Sequence, residues 1–305
     1  MHFLYRIKAL VPRRFQISIR SYIARRKMVK YKNVWPINES ACKKPYDEFK
    51  WPGNQQFALV LTHDVDTGTG QDNCVNVLKL EKQLGFHSSF NFVPERYCVS
   101  SKVRQKIEDE NFEVGIHGLK HDGKLYIHEE GFKNRANRIN EYIGEWGVVG
   151  FRSPSMHHNL DWIHELDIEY DASTFDTDPF EPQPDGVNTI FPFWASKGSN
   201  QFGYIELPYT LPQDFTLYVL LREKNINIWK LKLDWIANNG GMALLNTHPD
   251  YMGFEDDAVK YYQYPAELYK QFLYYLKNKY EGKYWHVLPR EMATFWKENV
   301  TGLMK

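Results

Sequence analysis

The stretch from Leu59 to Asp66 constrains the fold of this chain more than any other. It reads Leu-Val-Leu-Thr-His-Asp-Val-Asp, so apolar and β-branched residues run directly into a cluster of ionisable side chains. A short run of this kind is typical of a buried strand whose C-terminal end opens into a polar site. Because side chains alternate along a strand, we expect Asp64 and Asp66 on one face, with His63 and Val65 on the other.

Two carboxylates on one face of a strand end need either a cation or a shared proton, since like charges at this separation repel each other. A divalent metal offsets that repulsion and leaves one carboxylate free to act as a base. The alternative interpretation is a strand end whose acids cap the next helix. This stretch alone does not decide between the two.

The rest of the chain predicts an α/β fold in which strands and helices alternate. Further strands are predicted over 87–93, 112–116, 148–151, 170–175, 190–193, 203–207, 242–246 and 284–288. Helices are predicted over 72–84, 102–110, 129–146, 158–166, 226–238, 258–280 and 290–299. Repeated strand-then-helix order indicates parallel strands with helices outside, in either a barrel or a doubly wound sheet. No glycine-rich nucleotide-binding motif follows a predicted strand, which weakens the doubly wound alternative.

Polar side chains gather directly after the predicted strands. They are Asp64, Asp66, His117, His121, Arg152, Asp171 and His248. A barrel collects the C-terminal ends of its strands in one mouth, so this distribution favours a barrel with its site there. His117 and His121 are four residues apart and can reach one metal ion, and with one aspartate they would make three protein ligands and leave a position open for water.

Five motifs occur together and in a fixed order. They are Thr62-His63-Asp64-Val65-Asp66, His117-x-x-x-His121, Phe151-Arg152-Ser153-Pro154, Tyr170-Asp171-Ala172-Ser173 and Leu245-Asn246-Thr247-His248-Pro249. Over residues 57–290 the chain therefore resembles the polysaccharide deacetylase family, the NodB-homology domain of carbohydrate esterase type. The resemblance implies a distorted (β/α) barrel with fewer than eight strands. It also implies metal-dependent removal of an N-acetyl group from an amino sugar, in a surface glycan or its biosynthetic intermediate.

The resemblance assigns a role to each matching residue. It implies Asp64 as general base, Arg152 as the residue that holds it, His248 as general acid, Asp66, His117 and His121 as metal ligands, and Asp171 and Pro154 as substrate-binding residues. The metal would be divalent, with zinc preferred over cobalt, nickel, manganese or iron. In the family's common form the two acids are adjacent, whereas here Val65 separates them. The acid that orients the histidine is open between Asp171, Asp176 and Asp178.

Two other function classes remain open. A metal-dependent amidohydrolase acting on a small cyclic amide or ureide shares the barrel and the Asp-x-Asp opening. A non-catalytic glycan-binding barrel is the other class, although the chain retains the base, the ligands, the arginine and the acid.

The N-terminal part of the chain has a different composition. Residues 1–38 carry ten of the 38 Lys and Arg and no acid, so the remainder has 28 basic and 38 acidic residues. We therefore predict a basic amphipathic arm and linker over 1–50 and a catalytic barrel over 51–305, whose acidic surface argues against nucleic acid as a partner. The arm over 1–32 could lie on an anionic membrane, or it could pack on the acidic body or contact a partner protein.

Composition also bears on location and substrate. No apolar run reaches the core length of a signal peptide or the roughly 20 residues of a membrane span. The three cysteines, Cys42, Cys74 and Cys98, show no CxxC spacing and are interpreted as reduced thiols. We expect a cytoplasmic protein, peripheral to the inner membrane surface if the arm binds lipid, that acts on a nucleotide-linked or lipid-linked amino sugar.

Overall fold

The fold is described from a computed structural model of the chain. The structure describes residues 12–198, 202–254 and 260–303. The first eleven residues of the predicted arm and the predicted start of the helix over 258–280 lie outside these ranges.

Strands and helices alternate along the described chain. The strands are β1 (Phe57–Val65), β2 (Ser89–Phe92), β3 (Glu113–His117), β4 (Gly150–Arg152), β5 (Tyr170–Asp171), β6 (Phe193–Lys197), β7 (Phe202–Glu206), β8 (Met242–Thr247), β9 (Met252–Gly253), β10 (Tyr264–Pro265) and β11 (Tyr284–His286). The helices are α1 (Arg13–Lys30), α2 (Gly68–Leu84), α3 (Ser101–Asp109), α4 (Glu129–Trp146), α5 (Leu160–Ile163), α6 (Asn227–Asn239), α7 (Ala266–Tyr280) and α8 (Pro289–Asn299).

β1 lies at the centre of the sheet. All nine of its residues are buried, as an apolar run with parallel neighbours on both sides predicts. One edge of β1 pairs with β8, while the other pairs first with β11 and then, towards its C-terminal end, with β2. Parallel pairing continues from β2 through β3, β4 and β5 to β7.

The segment after β7 closes the wall into a barrel. Tyr209 pairs with Phe175, and Leu211 pairs with Leu245 of β8, where the N–H of Thr210 donates to the carbonyl oxygen of Leu244 at 3.0 Å. Within the described residues, the closed path therefore runs through seven parallel strands, β1-β2-β3-β4-β5-β7-β8, and returns to β1. This confirms the prediction of a distorted (β/α) barrel with fewer than eight strands. β6 pairs antiparallel with β7 outside the path, and the strand predicted over 190–193 overlaps β6 only at Phe193.

Most predicted elements occur with shifted ends. α4 matches its predicted range. It is terminated by Gly147, whose left-handed backbone conformation is one that glycine adopts readily. The helix predicted over 258–280 begins only at Ala266. Pro265 precedes it, and a residue before a proline is biased towards extended backbone, so Tyr264 pairs with Met252 instead of continuing a helix. The strand predicted over 170–175 is reduced to two residues.

α1 packs against the barrel. Ile17 and Ala24 are buried, and the hydroxyl of Ser21 donates to the carbonyl oxygen of Leu220 at 2.5 Å. Lys27 donates to the carbonyl oxygen of Pro179 at 2.7 Å. The described part of the arm therefore packs on the body, which was one of the predicted alternatives. Binding of the arm to a membrane and the division of the chain at residue 50 stay predictions. None of the helices in the described residues combines the length and the apolar character that a membrane span needs.

Candidate active site

Three side chains that could hold a metal ion meet at the mouth of the barrel. Asp66 follows β1, His117 ends β3, and His121 lies four residues further on. Asp66 Oδ1 lies 3.1 Å from His121 Nε2 and 3.5 Å from His117 Nε2, and ligand atoms of all three lie within 4.8 Å of one another. Ligands bound tetrahedrally at about 2.05 Å from one ion would be about 3.3 Å apart. The spacing therefore fits a single metal ion.

The hydrogen bonding of these residues also fits a bound cation. Asp66 Oδ1 is buried and has no hydrogen-bond partner in the described part of the chain. His117 Nδ1 lies 3.1 Å from the carbonyl oxygen of Arg152. A carbonyl can only accept, so Nδ1 carries the proton and the Nε2 lone pair faces Asp66, which is the usual support for a metal-binding histidine. Burial opposes ionisation of Asp66, but the nearby charge of His121 holds its pKa well below the usual range.

The loop that carries His121 depends on a glycine and a proline. Gly118 has φ +61°, and a Cβ at this position would overlap Cγ of Pro154 and lie 2.5 Å from its Cδ. His121 itself has φ +51°, a conformation that non-glycine residues rarely adopt. Pro154 was predicted to bind substrate, but the structure places it beneath this loop and not in the cleft lining.

Asp64 is the second carboxylate of the site and is held by three donors. Asn246 Nδ2 donates at 2.8 Å, Asn91 Nδ2 at 3.1 Å and Arg152 Nη1 at 3.3 Å. Burial would raise the pKa of Asp64, but His117, Arg152 and His248 together lower it to about 2. The group is therefore a carboxylate at neutral pH. As predicted, Asp64 and Asp66 both face the cleft, while His63 points away and bonds to Glu81 of α2 at 2.8 Å.

His248 follows β8 and is oriented by Asp214. Its Nδ1 lies 2.7 Å from Asp214 Oδ1, and its backbone N–H donates to Asp214 Oδ2 at 2.8 Å. Tyr264 donates its hydroxyl to the same Oδ2 at 3.1 Å. Burial would lower the pKa of His248, but the carboxylate of Asp214, assisted by Asp66 and Asp64, raises it to about 10. The imidazole is therefore protonated at neutral pH and can donate a proton from Nε2.

The sequence prediction placed the orienting acid among three other aspartates, and this was wrong. Asp171 accepts from Ser173 Oγ at 2.5 Å, Asp176 pairs with Lys232 at 2.5 Å, and Asp178 accepts from the hydroxyl of Tyr209 at 2.9 Å. All three are buried, and these partners, not His248, hold at least one oxygen of each carboxylate. Asp171 was also predicted to bind substrate, but it does not line the cleft.

Sequence reasoning also missed Asp250, which fixes the opening motif. Its Oδ2 accepts the backbone N–H of Asp66 at 2.9 Å, and its Oδ1 accepts the hydroxyl of Thr67. Gly70 gives the carboxylate room, since a Cβ there would collide with it. The Asp that follows His248-Pro249 is the only sequence signal that could have indicated this role.

The site residues share one cleft of about 390 Å³. Asp64, Asp66, His117, His121 and His248 all line it. Arg152 lies behind Asp64 and is completely buried. The cleft walls also contain Arg96, Glu181, Phe215 and Tyr251, together with Gln16, Ile17 and Arg20 from α1. The structure therefore brings together six of the eight predicted site residues and leaves out Pro154 and Asp171.

Comparison with known proteins gives structural relatives only. No protein-family model matches this sequence, and no curated protein matches it. A Mycobacterium smegmatis protein named as a polysaccharide deacetylase superposes with a TM-score of 0.63 at 16% identity, covering 86% of this chain and 96% of its own. A Pseudomonas aeruginosa PAO1 protein named in the same way gives 0.61 at 15% identity, covering 82% and 94%. The chain has the polysaccharide deacetylase (NodB-like) fold.

This fold does not fix the reaction. Another structure that superposes well, named as Puue allantoinase, gives a TM-score of 0.62 at 14% identity and covers 82% of this chain and 93% of its own. Deacetylases and an allantoinase thus share the NodB-like fold, and the choice between them depends on the cleft.

Proposed function

We propose that this chain is a metal-dependent hydrolase that removes the N-acetyl group from an amino sugar of a surface glycan or its biosynthetic intermediate. One observation carries the proposal: a three-ligand site, a carboxylate and a protonated imidazole line the same cleft. These are the parts that amide hydrolysis requires, because water must be activated and the amine must leave with a proton.

The metal-binding residues would be Asp66, His117 and His121. Two imidazoles and a carboxylate suit zinc, and the same donors also accept cobalt, nickel, manganese or iron. When bound, the metal supplies activation of water and polarisation of the amide carbonyl. His117 is oriented for this by the carbonyl oxygen of Arg152 at 3.1 Å.

Asp64 would act as the general base. Its three donors fix the carboxylate at the mouth of the cleft, so it can accept the proton of a water molecule that attacks the amide carbonyl carbon. With its pKa held at about 2, Asp64 depends on an acidified water for this transfer. Asp64 Oδ2 lies 3.9 Å from Nε2 of His117, one of the residues that would hold the metal, and a bound metal would supply that acidity.

His248 would act as the general acid. Collapse of the tetrahedral intermediate expels the amine only if the nitrogen is protonated; otherwise the water leaves again. Asp214 keeps the imidazole charged and holds Nδ1 at 2.7 Å, so Nε2 is the atom that donates. The products are acetate and a free amino sugar.

The two alternatives are weaker. In a non-catalytic binding protein, a buried Asp66 oxygen without a hydrogen-bond partner beside two histidines would lower the free energy of unfolding without any functional gain. An amidohydrolase of small cyclic amides would enclose its substrate, whereas this cleft is lined by surface groups such as Arg20 and Arg96 and is open enough for a sugar.

The proposal is tested by acetate release from acetylated amino sugars, measured by mass spectrometry on protein that has been stripped of metal and reloaded with zinc. We expect turnover only in the reloaded protein. A cyclic ureide incubated in parallel serves as the substrate control. Turnover of the ureide alone, or of neither substrate by zinc-loaded or cobalt-loaded protein, would contradict the proposal.

A further inference from the structure

α1 has two apolar faces, and only one of them packs on the barrel. The inner face carries Ile17 and Ala24, which are 4% and 3% exposed. At 100° per residue these two side chains point in nearly the same direction. The inner face also makes the hydrogen bond from Ser21 to Leu220, so it accounts for the attachment of the helix.

The outer face lies on the opposite side of the helix and is exposed. It consists of Phe15, Ile19, Tyr22, Ile23 and Val29, whose side chains are 48% to 72% exposed. Their helical positions fall within an arc of about 120°, centred roughly opposite the inner face. Single exposed apolar residues are ordinary, but five on one face of one helix form a patch that indicates an interaction surface.

Cations share this outer face and border it. Arg26 and Lys30 lie within the same arc, Arg14 and Arg25 lie along one border, and all four are exposed. Residues 12–38 contain no acid, and the eleven residues before them add Arg6 and Lys8, again with no acid. The guanidinium of Arg26 lies 4.7 Å from the ring centre of Tyr22, so a cation and an aromatic ring are in contact on the outer face.

We propose that the outer face of α1 docks on the surface of an anionic lipid bilayer. An exposed helix face of this composition would insert its apolar side chains at the boundary between head groups and acyl chains, while its cations meet lipid phosphates. The rest of the chain carries more acid than base, so a negative surface repels it. Charge therefore orients the molecule with α1 towards the lipid.

This orientation would also determine where the cleft lies relative to the lipid, because α1 forms part of the cleft wall. Gln16, Ile17 and Arg20 line the cleft, and Arg20 also lies over the ring of Phe215 at 4.9 Å. Docking through α1 would hold the cleft beside the lipid head groups. If the proposed function holds, this placement favours a lipid-linked amino sugar as the substrate.

The test is co-sedimentation of the full-length protein with vesicles made of phosphatidylcholine and phosphatidylglycerol in a two-to-one mixture. Vesicles of phosphatidylcholine alone give the charge control. The variant Phe15→Gln/Ile19→Gln/Ile23→Gln removes three outer-face side chains without touching the cleft. The matched control, Ile127→Gln/Phe202→Gln/Leu231→Gln, removes three side chains that are 53%, 75% and 53% exposed elsewhere.

We expect the unmodified protein and the matched control to bind the mixed vesicles and to bind neutral vesicles weakly. The outer-face variant should bind the mixed vesicles about tenfold or more weakly. Absence of binding by the unmodified protein, or equal loss in both variants, would overturn the proposal. Light scattering without vesicles tests the alternative that the outer face is a dimer interface. If the unmodified protein does not bind lipid but forms an oligomer, and only the outer-face variant dissociates that oligomer, the proposal of lipid docking is also overturned.

Vesicle binding is measured without turnover, so its failure and the failure of the proposed reaction are distinguishable. The outer-face variant should release acetate from a soluble acetylated sugar at the unmodified rate. Circular dichroism and the melting temperature of each variant show whether the fold is retained.

Discussion

At the scale of single residues, the site depends on how each acid is paired. Asp64 is surrounded by neutral and cationic donors, whereas Asp66 faces two imidazole nitrogens and has an oxygen with no hydrogen bond in the described structure. Under the proposed function, the same residue type, two positions apart, would receive a proton in one place and a metal in the other. The order of these roles came from family resemblance, because strand alternation alone makes the two acids equivalent.

The first prediction separates these two aspartates. Asp64→Asn should keep zinc bound but lower kcat by about 10²- to 10⁴-fold, since an amide oxygen is a poor proton acceptor. Asp66→Asn should lose zinc and activity together, because it replaces a ligand. Zinc content by elemental analysis and the rate of acetate release are measured on both. The reverse pattern would exchange the two roles.

The second prediction concerns the pH dependence given by Asp214. The pKa of His248 is raised to about 10 by the Asp214 carboxylate, against the effect of burial. Asp214→Asn removes the negative charge, so His248 loses its proton at lower pH. Because the acid must be protonated, the alkaline limb of the kcat/KM profile should move to lower pH. Tyr264→Phe is the control, since it removes one hydrogen bond to Asp214 and leaves the charge.

An unshifted alkaline limb in Asp214→Asn would show that His248 does not donate the proton. Asp214 itself was beyond sequence reasoning. It lies 34 positions before His248 at the N-cap of the π-helical segment Phe215–Leu220, and it belongs to none of the five motifs. The three aspartates predicted instead lie in or just after the strand predicted over 170–175, and each accepts a hydrogen bond from a residue other than His248.

At the scale of elements, strands were predictable where they are apolar and long. β1 and β8 are fully buried along their whole length, so their apolar runs indicated them directly. β5 is two residues long, and the segment around Tyr209 and Leu211 joins the wall by single bridges. Such short pairings leave no periodic signal, because they are stabilised by neighbours that are distant in sequence.

The third prediction tests the loop between β3 and His121. Gly118→Ala should weaken zinc binding by about 10- to 100-fold, since its Cβ would push against Pro154 and displace the loop. Gly147→Ala is a matched control. Gly147 has φ +65°, close to the +61° of Gly118, but a Cβ there would meet no atom within 4 Å.

Gly147→Ala should therefore lose about 1 kcal/mol of folding free energy from backbone strain alone and keep its zinc affinity. Both quantities are measured, by chemical denaturation and by competition with a zinc chelator. Equal zinc affinity in the two variants would mean that the contact with Pro154 does not position His121.

At the scale of the whole molecule, the barrel was predictable because polar residues follow successive strands. That pattern places Asp64, His117, Arg152 and His248 at one end of parallel strands, as the structure has them. The position of the arm was not predictable in the same way. The two apolar faces of α1 give a weak sequence periodicity, and only the structure shows which face the barrel uses.

The last prediction concerns the opposite end of the barrel, where Glu113 ties three elements together. Glu113 begins β3 and accepts the hydroxyl of Tyr170 in β5 at 2.7 Å and the backbone N–H of Arg290 in α8 at 3.1 Å. Burial raises its pKa to about 7, although both hydrogen bonds oppose the change. The folded protein therefore holds this carboxyl neutral at a pH where the unfolded chain has lost the proton.

A raised pKa of an acid gives stability that is fully present below the unfolded value of about 4.5 and is lost as pH rises to the folded value of about 7. The loss attributable to Glu113 between pH 4 and pH 8 is at most about 3 kcal/mol. Glu113→Gln does not titrate, so its free energy of unfolding should fall less over this range than that of the unmodified protein. Glu130→Gln, at an exposed position in α4, controls for the lost charge. Urea denaturation at both pH values measures the difference, and an identical fall in Glu113→Gln and Glu130→Gln would show that the carboxyl of Glu113 is already ionised in the folded barrel.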